Sequence, residues 1–182
     1  MAFFEDLSDY EYFARHCRPG SKNVGWLERG HDFDKLLPSD ETLDLLWSYC
    51  RVNVMQARGF HSCDLCDIPS RYFHAIRDGL RLSLGSAEIR VFSTDGTAYA
   101  APNLIYHYVR AHHYRPPLEF VAALASGPRP VSDEYIDLLA WNRLGWKEAQ
   151  PASRDIRAFR FEKINGEVRR IEVEFPIHLD EN

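Results

Sequence analysis

From residue 59 to 66 the chain reads GFHSCDLC, placing His61, Cys63 and Cys66 within one short stretch. A Cys-x2-Cys turn sets two thiolates on one side of a tight loop. They are then close enough to share a tetrahedral ion at Zn–S distances of about 2.3 Å. The remaining ligands must be supplied by histidine or carboxylate. His61 is near in sequence, and His107, His112 and His113 follow in the run IYHYVRAHHY. His107 and His112 are five residues apart, about 140° around a helix of 3.6 residues per turn, so the spacing argues that one of them at most reaches the ion. The expected ligand set is Cys63, Cys66, His61 and His107, with His112 as the substitute, around a structural zinc.

Two other readings of the pair compete with zinc. A dithiol redox site needs the cysteines at a helix N-terminus within a βαβ unit, and it needs a depressed thiol pKa. Asp64 and Asp67 crowd the pair with negative charge, which works against thiolate. Alternatively both thiols are small core residues, because free cysteine is among the most buried residue types.

Catalytic chemistry finds little support. There is no His-Glu-x-x-His, no nucleotide-binding glycine loop, no Gly-x-Ser-x-Gly and no deaminase pattern ahead of Cys63. The run AHHYRPP has the paired histidines of small metal-dependent nucleases, but the next histidine is His178. The alternative function is therefore a metal-dependent hydrolase or nuclease with an open zinc position, using Glu88, Asp95 or His112 as base.

Several elements must position these groups. Ser39 or Asp40 caps a helix over 39–53, with Leu43, Leu46, Trp47 and Cys50 at helical spacing. YEYF and VGWLERG read as short strands before it. Leu80, Leu82 and Leu84 alternate with polar residues, Gly85-Ser86 turns the chain into AEIRVF, and Thr94-Asp95-Gly96 turns it into TAYAA, together an antiparallel meander. Pro102 and Asn103 open the histidine-bearing helix, Pro116-Pro117 start the next, and Ser132 caps another to about Leu144. At helical spacing, Tyr106, Tyr108, Tyr114 and Phe120 read as core aromatics. A hairpin around Asn165-Gly166 closes the chain. A three-residue bulged turn, which sets Phe159 opposite Ile171, is preferred to a two-residue turn, which sets Phe159 opposite Glu172.

The fold class is α+β: an antiparallel sheet with several helices, a Cys/His zinc-type loop, and a C-terminal helix plus β-hairpin. SGPRPVS divides residues 1–126, which carry the zinc site, from a C-terminal appendage at 132–182 expected to pack on them. The 182-residue chain, 45% hydrophobic with net charge −5, can bury an ordinary core. That acidity gives no support to non-specific nucleic-acid binding, which needs a basic face, so no nucleic-acid partner is expected. No apolar run approaches the roughly 20 residues of a membrane helix. The acidic, aromatic start does not read as a signal peptide, so a cytoplasmic location with reduced thiols is expected.

GWLERGHDF, GFHSCDLC, the AEIRVF strand with its glycine turn, and APNLIYHYVRAHHYRPP followed by EF together resemble an uncharacterised family of small bacterial proteins, over approximately residues 20–125. The resemblance implies that His61, Cys63, Cys66, His107 and His112 occupy family positions suited to a metal site. It implies no activity. The function expected on these grounds is a non-enzymatic protein with a structural zinc. By analogy with small acidic bacterial proteins, it would be a protein-binding or immunity-type module whose partner is another protein.

Overall fold

The structure is a computed structural model that describes residues 3–67, 73–77 and 79–149, together with the backbone of three later strands. Its strands in chain order are β1 (Ser21–Asn23), β2 (Val52–Val54), β3 (Phe73–Arg77), β4 (Leu80–Leu84), β5 (Glu88–Phe92), β6 (Ala98–Pro102), β7 (Trp146–Glu148), β8 (Ala158–Ile164), β9 (Glu167–Val173) and β10 (His178–Asp180). The helices are α1 (Asp40–Cys50), α2 (Ile105–His112), α3 (Leu118–Ser126) and α4 (Asp133–Trp141). This is an α+β fold built on a mixed five-stranded sheet ordered β1-β6-β5-β2-β7.

Helix boundaries follow local chemistry. Ser39 Oγ accepts the Thr42 N–H at 3.2 Å to start α1, and Asp40 and Glu41 lie at its positive end. Leu46, Trp47, Tyr49 and Cys50 then form its buried stripe. Ser132 caps α4 in the same way through the Tyr135 N–H. α4 ends at Trp141, three residues before the expected point, with Asn142 as its C-cap and Arg143 following at φ +58°.

The strands depart from a simple meander. β4 does not pair with β5. It pairs with β3, in a second sheet ordered β10-β3-β4, while β5 pairs with β6 and β2. Gly85, at φ +92°, passes the chain from one sheet to the other. A Gly-Ser pair between alternating apolar runs has the look of a hairpin, but β5 is buried at every position and takes partners in the central sheet. YEYF is likewise not a strand: the stretch enters a 3₁₀ turn at Ala14–His16, and β1 lies at Ser21–Asn23, ahead of the whole of VGWLERG. The pairing of β1 with β6 is parallel. In the hairpin, Phe159 is opposite Glu172 and Phe161 opposite Arg170, the register of the two-residue turn. Asn-Gly favours that tight connection because both residues tolerate positive φ.

One core runs between the central sheet and the helices, including Leu46, Val54, Phe73, Leu84, Ile89, Tyr108 and Phe120. Tyr106, Tyr108, Tyr114 and Phe120 are all buried, as their spacing suggested. Each fully buried large apolar side chain contributes roughly 1.5–3 kcal/mol. The same interior holds a charged pair: Arg90 is fully buried and donates to Glu88, which also accepts the Tyr10 hydroxyl at 2.6 Å. The Arg90 guanidinium lies 4.2 Å from the Tyr10 ring centroid. Tyr10 thus fastens the N-terminal segment over β5.

Candidate metal centre

Two elements meet to form the site. The loop 59–67 leaves β2 and is held by backbone pairing, His61 N–H donating to Gly85 O at 2.8 Å. Arg29, from the GWLERG stretch, grips the cysteine turn from outside. Its Nε donates to Asp64 O at 2.7 Å and its Nη2 to Cys66 O at 3.1 Å, with Asp67 3.7 Å away. The second element is α2, which ends as His113 turns left-handed at φ +57° and the Tyr114 N–H returns to Tyr108 O at 3.1 Å.

Cys63, Cys66, His107 and His112 converge, with all four donor atoms within 4.8 Å of one another. Cys63 Sγ lies 3.2 Å from His112 Nε2, and Cys66 Sγ lies 3.3 Å from His107 Nε2 and 3.4 Å from His112 Nε2. The two Nε2 atoms are 3.2 Å apart. A tetrahedral ion with Zn–S near 2.3 Å and Zn–N near 2.05 Å places its sulfur and nitrogen ligands about 3.5 Å apart and its two nitrogens about 3.3 Å apart. The cluster matches those separations within a few tenths of an ångström. It is compatible with zinc binding.

The chemistry of the donors supports the same fit. Four lone-pair-bearing atoms face one point, and a proton on one imidazole can be shared with one neighbour at a time. A cation there satisfies all four at once. Cys63 and His107 are almost wholly buried, and the Phe73 ring lies 4.5 Å from the His107 ring. Burial, reinforced by the neighbouring Cys66, pushes the Cys63 thiol up to about 12, while the backbone N–H groups of Leu65 and Cys66 act in the opposite sense. These N–H groups are directed at the sulfur that would carry negative charge on a metal.

The spacing argues against His107 and His112 sharing an ion, yet the structure brings their Nε2 atoms to 3.2 Å. Helical side chains lean toward the N-terminus, so His112 inclines back toward His107. It is also the last helical residue, with the chain turning away after it. Nε2 stands far enough out on each ring to cancel the angular offset between the Cα positions. His61, expected as a ligand, lies outside the cluster. Its Nε2 is 3.3 Å from the Tyr12 hydroxyl, and burial depresses its pKa. Its backbone faces Gly85, and that pairing directs the side chain toward the N-terminal segment.

The bases considered for hydrolysis are engaged. Glu88 is tied to Arg90 and Tyr10, Asp95 accepts from Ser93 and from the Thr97 N–H within the β5–β6 turn, and His112 belongs to the cluster itself. Among the described residues the cysteine turn opens no helix, the usual means of activating a dithiol. Arg29 and Gly85 were not anticipated. The signal for Arg29 was its place in a motif with no other assigned role, and Gly85 was read only as a hairpin turn.

Among the described residues no helix is long and apolar enough to cross a membrane. No curated protein and no solved structure matches the chain. A family profile described as a domain of unknown function, DUF7919, matches residues 2–125, which hold all four members of the cluster, and the chain belongs to that family.

Proposed function

We propose that this protein is a non-enzymatic binding module whose Cys63, Cys66, His107 and His112 hold a closed structural zinc, and that its partner is another protein. One observation carries the reading: four protein donors lie within 4.8 Å of one another, enough to complete a tetrahedral zinc with no position left for water or substrate. A closed ion fastens the 59–67 loop to the end of α2 and supplies folding energy. An immunity-type role, in which the protein blocks a partner, is the form of binding this reading favours.

The test is metal analysis of protein purified without added zinc, followed by cobalt substitution. About one zinc per chain, and a cobalt spectrum of tetrahedral thiolate–imidazole type that is unchanged by added anions, are expected. A cobalt spectrum that shifts on adding anions would reveal an exchangeable position and favour the hydrolase. Absence of metal would sink both readings.

A further inference from the structure

Three residues beyond His112 the chain enters the wall of an open groove of about 530 Å³. Phe4, Phe33 and Leu118 supply its apolar surface, and its charged lining is Glu5, Asp6, Asp32 and Asp34 against Arg115. Asp6 is committed to the fold, its Oδ1 accepting the Gly25 N–H at 2.8 Å and its Oδ2 the Tyr114 hydroxyl at 2.7 Å. Glu5, Asp32 and Asp34 are exposed, and none of them forms an ion pair among the described residues. Leu118 is 68% exposed, and the strand of chain that carries Asp32 and Asp34 continues into Leu36 and Leu37, at 57% and 74%.

Backbone pairing joins two walls of the groove. Arg115 N–H donates to Asp34 O and Leu36 N–H to His113 O, each at 2.8 Å, with a bridge between Lys35 and Tyr114 joining the same two walls. The Phe33 ring already accepts an ammonium, Lys35 Nζ standing 5.1 Å from its centroid. A preformed groove avoids the entropy of ordering loops on binding. Exposed apolar side chains beside uncompensated carboxylates match a ligand that is cationic and apolar together.

We infer that this groove docks a lysine- or arginine-bearing segment of a partner protein, whose aliphatic or aromatic side chains lie against Phe33 and Leu118 while its cations face Asp32, Asp34 and Glu5. The inference rests on the binding-module reading and gives that module its surface and the chemistry of its partner. An anionic partner such as nucleic acid is repelled by the same carboxylates.

The test uses a fluorescein-labelled decapeptide of alternating lysine and leucine, titrated by anisotropy into the full chain as purified. Saturable binding that weakens with salt is expected. Asp32→Asn combined with Asp34→Asn should weaken it about fivefold, and Leu118→Gln by a similar factor, at positions too exposed to disturb folding. Binding by both variants as tight as by the parent chain, or equal affinity of the parent chain for decalysine or for the glutamate–leucine decapeptide, overturns the proposal, as does absence of binding. Dimerisation of the chain that Leu118→Gln abolishes would assign the groove to a second copy and also overturn it. Zinc is measured on the same samples. A full complement of metal with a silent groove refutes this inference alone, whereas variant-sensitive peptide binding without metal refutes the closed zinc centre and leaves the groove standing.

Discussion

Replacing Gly85 by alanine should loosen the metal loop without touching a ligand. A Cβ built on Gly85 would lie 2.5 Å from the His61 carbonyl oxygen, so the loop must retreat by roughly 1 Å to reach van der Waals separation. The backbone there is at φ +92°, where an L side chain costs about 1–2 kcal/mol. Retreat also stretches the 2.8 Å bond from His61 N–H to Gly85 O, worth about 1 kcal/mol. Together these costs come to roughly 2–3 kcal/mol, and for a chain of this length each kilocalorie lowers Tm by about 2–4 °C. Gly96→Ala is the internal control, because φ there is +91° and nothing lies within 4 Å of its added Cβ. The two variants share the backbone strain, and only Gly85→Ala adds the collision. Thermal unfolding followed by circular dichroism should place Gly85→Ala well below Gly96→Ala. Competition with a chromophoric chelator should show about tenfold weaker zinc binding for Gly85→Ala alone. Equal Tm and equal zinc affinity for the two variants would refute the claim that the loop leans on Gly85.

Three further outcomes are expected. His61→Ala should leave zinc stoichiometry unchanged while His112→Ala lowers zinc affinity at least tenfold, as read by the same chelator competition. Arg90→Met should destabilise the fold by about 3–5 kcal/mol in urea unfolding, because it strands Glu88 in the interior; adding Glu88→Gln to it should recover part of that loss. Burial, aided by the Arg81 charge, lowers the pKa of His74 from 6.5 to about 4. The unfolded chain therefore binds the extra proton first, and the stability His74 contributes is present above pH 6.5 and lost as pH falls toward 4. A His74→Asn variant should show a shallower loss of urea stability across that window than the parent protein.

Local chemistry was legible in the sequence and long-range pairing was not. Ser39 and Ser132 announced their helices because a cap acts on residues two or three positions away. Cys63, Cys66 and His107 were identifiable by ligand type, since few side chains can do what a thiolate or imidazole does. His61 lies outside the cluster because nearness in sequence says nothing of direction, and His112 enters it because helical side chains are not radial spokes. The exchange of sheets between β4 and β5, and the parallel pairing of β1 with β6, depend on partners far along the chain. Nothing local marks Arg90 as an interior residue: both faces of β5 are covered, and the guanidinium is retained inside by Glu88 and Tyr10.

The spacing of the two halves of the metal centre bears on how the chain finds its fold. Cys66 and His107 are 41 residues apart, and the interval contains β3, β4, β5 and β6, including the passage from one sheet to the other. With the zinc proposed above, a disordered chain that captured the ion through its cysteines and histidines would close that interval before any strand pairs. Treated as a cross-link of this length, the ion removes about 4 kcal/mol of loop entropy from the search. The two sheets then explore each other at short range. Without that zinc the same strands would meet as distant segments, and the proposed centre would then make newly made protein more vulnerable to zinc depletion than protein that has already folded.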